Sequence, residues 1–223
     1  MKRMKRSLRA LEIVQENFKG KTSKVLDLGC GFGETARYFL DEEYACIGVD
    51  AVRESVEKAK VSTGHAEAFQ VMDATALTFG NQSFEVVTFM DVLEHVGEPK
   101  PVLNEIARVL KEDGLLILSV PHAGWSACLD PANVLRKMGK KVEHHKHYKL
   151  QEVAELLGED YELVTVERRG SGLTALLRIV SYPLRAIGGE KLIDKLIRWI
   201  APYDYALKTG PLAFHLFSVW KRK

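Results

Sequence analysis

Ten residues, Val25-Leu26-Asp27-Leu28-Gly29-Cys30-Gly31-Phe32-Gly33-Glu34, constrain this 223-residue chain more than any others. An apolar run ends in three glycines at alternate positions, then a charged residue. That order reads as a buried parallel strand, a glycine turn and a helix start, the opening unit of a doubly wound α/β sheet. Glycines at 29, 31 and 33 let backbone approach a ligand where a Cβ would collide with it. The spacing is G-x-G-x-G. The dinucleotide fingerprint G-x-G-x-x-G would need glycine at 34, where the chain has Glu34. Asp27, two residues before the first glycine, would repel a pyrophosphate and attract an ammonium. The turn therefore suits a zwitterionic ligand bearing ribose and adenine better than a dinucleotide.

Two further apolar runs end in acids: Tyr44 to Asp50, and Glu67 to Asp73-Ala74. Asp50 lies about twenty residues past the glycine turn, where a strand-end carboxylate can accept from both hydroxyls of a ribose. Capping of a helix starting at Ala51 is its structural alternative, and a surface turn is that of Asp73. Acids at the ends of three successive strands point to one shared site, because doubly wound sheets bind ligands at the carboxyl ends of their strands. Phe84–Met90 reads as a fourth strand, followed by Asp91-Val92-Leu93-Glu94-His95-Val96. A helix starting at Pro99 or Pro101, with Val102, Leu103, Ile106, Val109 and Leu110 as its stripe, precedes a fifth strand over Leu115–Pro121.

From Val25 to Pro121 this ordered series resembles class I S-adenosylmethionine-dependent methyltransferases of the small-molecule type 11 kind. The resemblance implies a seven-stranded, mostly parallel Rossmann-like sheet whose last strand is antiparallel. It also implies that Asp27, Gly29, Gly31 and Gly33 surround the methionine moiety of the cofactor. Asp50 and Ala51 would meet the ribose, Asp73 the adenine amino group, the Ala74 backbone the ring, and Met90 would line the same site. Asp91 and Glu94 fall where relatives face their substrates.

A sulfonium methyl is already activated, so the protein must chiefly align it with the acceptor and exclude water. A hydroxyl acceptor also needs a base. His95 is the preferred candidate, histidine being suited to proton transfer near neutral pH. Asp91, Glu94 and His95 stand at i, i+3 and i+4, one face of a helical turn. This pattern resembles that of quinone-pathway O-methyltransferases and RNA-end 2′-O-methyltransferases, some of which hold a divalent metal. Mg²⁺ there could acidify an acceptor hydroxyl, but the same letters occur widely in the family without metal, so no metal ligand is assigned. His122 follows the fifth strand. His147 and Tyr148 close the stretch Glu143-His144-His145-Lys146-His147-Tyr148. H-H-x-H lacks a clear zinc partner set, whereas a histidine and tyrosine before the next helix border the acceptor pocket in relatives.

The whole chain, 1–223, reads as a single domain. A helix over Ser7 to Phe18 lies within an N-terminal segment 1–23, ahead of the core 24–121. An acceptor-side region 122–171 holds a loop with a short helix near 131–138, a helix over 148–157 and a strand over 161–167. An insertion at 172–209 precedes the last strand, 212–220 within segment 210–223. The insertion has two helical patterns, six basic residues against three acidic, and Trp199, Tyr203 and Tyr205 near its end. That composition suits either a membrane interface or a lid packed on its own domain or on a second subunit.

Net charge is only +2, which argues no global attraction to nucleic acid. The basic ends, Met1–Arg6 and Lys221–Lys223, read as solvated tails. Three cysteines without C-x-x-C suit a reduced, cytoplasmic setting, and no run of eighteen apolar residues would span a bilayer. Asp91-Val92 stands where exocyclic-amine methyltransferases carry Asp/Asn-Pro-Pro-Tyr, and the core lacks the aromatic–basic interleaving that stacks bases. The expected activity is methyl transfer from S-adenosylmethionine to a small-molecule acceptor, a hydroxyl of a lipid-linked, glycan or quinone-like compound. A non-catalytic cofactor-binding or membrane-adaptor protein and an RNA methyltransferase are the rivals.

Overall fold

The computed structural model describes residues 6–18, 23–124, 146–170, 177, 195–197, 199–200, 203, 207 and 213–223. In chain order these form α1 (Arg6–Asn17), β1 (Lys24–Leu28), α2 (Glu34–Asp41), β2 (Ala45–Asp50), α3 (Arg53–Thr63), β3 (Phe69–Val71) and β4 (Phe84–Met90). Then follow α4 (Pro99–Val109), β5 (Leu110–Pro121), α5 (Leu150–Leu157), β6 (Tyr161–Arg169) and β7 (His215–Arg222), with one-turn 3₁₀ helices at Ala66–Ala68 and Leu93–His95. The strands make one seven-stranded sheet in the order β3-β2-β1-β4-β5-β7-β6. β1 pairs in parallel with β2 and β4, and β4 with β5. β7 runs antiparallel to both its neighbours.

The order reverses between β1 and β4, and in doubly wound sheets ligands bind at such a reversal, outside the carboxyl ends of the parallel strands. Helices cover both faces, so the central strands are apolar throughout rather than alternating. On one face Leu26, Leu28, Val87, Phe89, Leu116 and Leu118 pack with Ile106 and Val109 of α4 and Val153 and Leu157 of α5. On the other, Val25, Val86, Ile117, Phe217 and Val219 meet Ala10 and Val14 of α1, Ala36 and Phe39 of α2, and Val56 and Ala59 of α3. The 3.6-residue spacing of these helical positions is what made the helices readable.

Several boundaries differ from expectation. Leu110, placed on the helix stripe, opens β5, because it pairs with Phe84 before the register shifts toward the Val86–Leu115 pair. A Cβ at Gly114 would lie 2.8 Å from the Lys111 carbonyl, so the irregular stretch closes only around a glycine. β3 shrinks to three residues because Ala66–Ala68 form a 3₁₀ turn. α3 extends to Thr63, where Gly64 ends it in the left-handed region. α5 starts at Leu150 rather than Tyr148, since Tyr148 bridges in parallel to His122. β7 starts at His215. The short helix expected at 131–138 and most of the insertion lie outside the described residues. Within the insertion, 195–197, 199, 200 and 203 have helical backbone, Ile197 is buried, and Trp199 is 61% exposed. Among the described residues no helix is long and apolar enough to cross a membrane.

Candidate active site

The glycine turn joins β1 to α2 by crossing onto β2: the amides of Gly29 and Cys30 both donate to the Val49 carbonyl, at 2.8 and 2.9 Å. Gly29, Gly31 and Gly33 all have positive φ, at 74°, 52° and 78°. They differ in what surrounds them. A Cβ on Gly29 would come within 2.4 Å of Val92 Cγ2, and one on Gly33 within 2.9 Å of the Phe69 ring. A Cβ on Gly31 would meet nothing within 4 Å. The outer glycines therefore serve close packing, and Gly31 borders open space.

Asp27 is only 2% exposed. One of its oxygens accepts from the Thr88 hydroxyl at 2.7 Å and the other from the Ala36 amide at 3.1 Å. Ala36 is the third residue of α2, whose N-cap, Gly33, has no side chain to offer. Asp27 thus caps α2 from the neighbouring strand. Its charge acts from beneath the turn. Burial pushes the carboxyl up to about 6 against the hydrogen bonds from Thr88 and Ala36, and the negative charge of Asp50 adds to the rise. Burial likewise pushes the Cys30 thiol up, with Asp27 and Asp50 contributing, so it is a packing residue.

Asp50 ends β2 with its carboxylate accepting from the Gly31 amide and the Val52 amide, each at 2.9 Å. It ties the open glycine to Val52, the residue before α3, while α3 itself has no side-chain cap bond. Ala51 beside it is exposed. Asp73 lies two residues past β3, exposed, with one oxygen receiving the Thr75 amide and hydroxyl at 2.8 Å each. Those bonds hold its carboxyl below the usual range. Ala74 is half-buried next to it.

At the end of β4, Met90 is half-buried and Asp91 turns into the left-handed region at φ 56°. Aspartate tolerates that conformation better than most residues. The Asp91 amide donates to the Ser119 carbonyl at 2.9 Å, and its carboxylate accepts from the Ser119 hydroxyl at 2.5 Å and pairs with Arg6 of α1. Arg6 also reaches His215 Nδ1 at 3.1 Å. The expectation that Asp91, Glu94 and His95 share one face of a helical turn is not met. Asp91 precedes the 3₁₀ turn, with its carboxylate committed to Ser119 and Arg6. Glu94 is buried and His95 is exposed. Among the described residues no group of three His, Cys, Asp or Glu side chains is disposed to hold a metal ion.

The residues expected on the acceptor side lie on segments that come together. Tyr148 is fully buried; its amide donates to the Pro121 carbonyl, its carbonyl accepts from Ala123, and its hydroxyl donates to the Leu93 carbonyl at 3.3 Å. Burial raises the phenol, and the charges of Glu94 and Glu152 add to it. The Lys146 amide donates to the Glu94 carbonyl. The His122 amide donates to the Phe214 carbonyl at 2.8 Å, and the His147 ring meets the Phe214 ring edge-on. Segments after β4 and β5, before α5 and before β7 therefore converge. Glu143 to His145 lie outside the described residues. Thr88, Ser119 and His215 carry no expectation from the sequence, and Arg6, expected in a solvated basic tail, instead opens α1 and pairs with Asp91. Polar residues inside apolar strands at 88 and 119 were the available signal; nothing local pointed to Arg6.

A family model described as a methyltransferase domain matches residues 2–167, most of the chain. The chain belongs to that family. It is a member of the class I S-adenosylmethionine-dependent methyltransferases. It is 36% identical over 111 residues to an uncharacterized methyltransferase, YcgJ, of Bacillus subtilis, covering 48% of this chain and 44% of that one. A solved structure of YcgJ matches 97% of this chain and 98% of its own with a TM-score of 0.63 at 22% identity. Identity to the chloroplastic tocopherol O-methyltransferase of Arabidopsis thaliana is 34% over 146 residues, 60% of this chain and 42% of that one. The ubiquinone biosynthesis O-methyltransferase of Bartonella bacilliformis is 27% identical over 142 residues, 60% of this chain and 57% of that one. The chain spans about half the length of the curated relatives it matches.

Proposed function

We propose that this methyltransferase binds S-adenosylmethionine along the carboxyl edge of β1, β2 and β3 and transfers its methyl to a hydroxyl of a small molecule. The observation that carries this reading is the pairing of Gly31, the glycine of the turn that borders open space, to Asp50, which accepts its amide. That pair offers a backbone cradle and a strand-end carboxylate side by side, the combination a ribose with an adjoining zwitterion needs. Asp27 would supply negative potential beneath an ammonium, Asp50 and Ala51 would meet the ribose, and Asp73 and Ala74 the adenine. Met90 would line the floor. When bound, the cofactor supplies a methyl group on a positively charged sulfur. The chain's own task is then to orient the acceptor oxygen in line and to keep water out.

The O-methyltransferases among the relatives favour a hydroxyl as acceptor, and the tocopherol and ubiquinone in their names favour an apolar, quinone-like or lipid-linked one. The exposed Trp199 and Leu196 in the insertion favour a surface that meets lipid. The test is donor binding by calorimetry, followed by incubation of the protein with methyl-labelled donor and an extract of its source cells, with and without Mg²⁺. Label in the organic phase supports the apolar acceptor, and label in the aqueous phase replaces it with a soluble one. Donor binding without label in either phase moves the non-catalytic reading ahead.

A further inference from the structure

Among the groups on the acceptor side, His122 has an unusual hydrogen-bond balance. Its ring N–H donates to the backbone carbonyl of Ala213, while its Nδ1 is buried and, among the described residues, meets no donor. The bond to Ala213 therefore belongs to Nε2 and selects one tautomer, leaving a lone pair on Nδ1. The ring has little freedom to turn away. Its own backbone is tied to Phe214 and bridged to Tyr148, which is itself fixed to Pro121, Ala123 and Leu93. A buried acceptor atom left without a donor is costly, and folded proteins rarely leave one without use. Phe214, whose carbonyl accepts the His122 amide, has its ring in edge-on contact with the His147 ring.

We infer that His122 Nδ1 is the hydrogen-bond acceptor for a hydroxyl of the methyl-accepting molecule and selects for a hydroxylated, aromatic-compatible substrate. The inference rests on the methyltransferase reading and adds a specificity-determining residue to it. Arg168 of β6 and His147, from the segment before α5, are the charged and titratable groups that face this ring from neighbouring elements. Together with burial, the largest cause, they keep its basicity below the ordinary histidine range against the opposing bond to Ala213. The lone pair is therefore present throughout the neutral range. It is lost only under acid conditions, when protonation turns Nδ1 into a donor.

A phenol and its own methyl ether make the test, because they share shape and differ in the one hydrogen that Nδ1 can receive. With a 4-alkylphenol as probe, wild-type protein should bind the phenol at least about tenfold more tightly than the ether. Addition of the phenol, but not of the ether, should move the ¹⁵N resonance of His122 Nδ1. Phenol affinity should fall on acidification through the lowered His122 pKa. His122→Phe should lose the discrimination. His122→Asn, which places an amide oxygen near the Nδ1 position, should recover part of it. Equal binding of phenol and ether by wild-type protein, or an Nδ1 resonance unmoved at millimolar phenol, overturns the inference even where His122→Phe fails to fold. Neither readout needs the cofactor. Loss of donor binding with the Nδ1 response intact would instead overturn the methyltransferase reading.

Discussion

Replacing Asp27 by asparagine separates the structural role of this carboxylate from its charge. In the unfolded chain the group would titrate near 3.9, and burial in the folded protein moves it to about 6. Its folded pKa is raised, so the stability associated with its proton is fully present below about pH 4. That stability is lost as pH rises through about 6. A rise of this size corresponds to about 3 kcal/mol. Asparagine can accept the Ala36 amide with its carbonyl oxygen and donate its amide to the Thr88 hydroxyl. That hydroxyl still has the Leu26 carbonyl within 3.4 Å as its own acceptor. Asp27→Asn should thus fold, lose the stability change between about pH 4 and 6, and above pH 6 gain up to about 3 kcal/mol over wild type. Urea unfolding of both proteins at pH 4.5, 5.5, 6.5 and 7.5 measures this directly. A difference between the two that stays constant with pH, or a variant less stable than wild type at pH 7.5, would refute the buried-charge reasoning. The functional consequence runs the other way. Near pH 6 wild-type protein should release a proton on binding a donor that bears an ammonium, and the variant should bind the donor more weakly without releasing one. Calorimetry in buffers of different ionisation enthalpy reads both effects.

The three glycines should separate on substitution by alanine. Gly29→Ala and Gly33→Ala force a Cβ into Val92 and Phe69 and should cost about 2–4 kcal/mol of stability by denaturant unfolding. Gly31→Ala has only its positive φ to oppose it, about 1 kcal/mol, yet should weaken donor binding most for its stability cost. Asp50→Ala should weaken donor binding about tenfold if the carboxylate holds the ribose through charge-assisted hydrogen bonds, and unchanged affinity would remove it from the site. Arg6→Met breaks the ion pair to Asp91, whose two side chains are each about 30% exposed. It should cost under about 1 kcal/mol while speeding amide exchange in α1, and unchanged exchange would mean that the pair does not hold the helix.

The carboxyl edge of the sheet was legible because parallel strands covered on both faces read as uninterrupted apolar runs. An acid or glycine closing such a run stands out against it. Gly29, Gly31, Gly33, Asp50 and Asp73 were readable on that ground, as were the sheet and its helices from their periodicity. Short-range pairing competition was not, and it moved Leu110 from a helix stripe into β5 and Tyr148 from a helix into a bridge.

What the amino-acid sequence determined alone is therefore the αβ order and the residue types placed at the strand ends, since each depends on neighbours a few positions apart. Tertiary structure alone decided how those residues are used. Only the approach of Val92 and Phe69 distinguishes the two packed glycines from the open one. Only the proximity of α2 makes Asp27 a cap beneath the turn. The left-handed backbone at Asp91, tied to Ser119 and Arg6, separates it from Glu94 and His95, which their spacing alone would have placed together. The lone pair of His122 depends on the Ala213 carbonyl, ninety-one positions away along the chain. Contacts of such separation are set by how the sheet closes, and no local pattern encodes them.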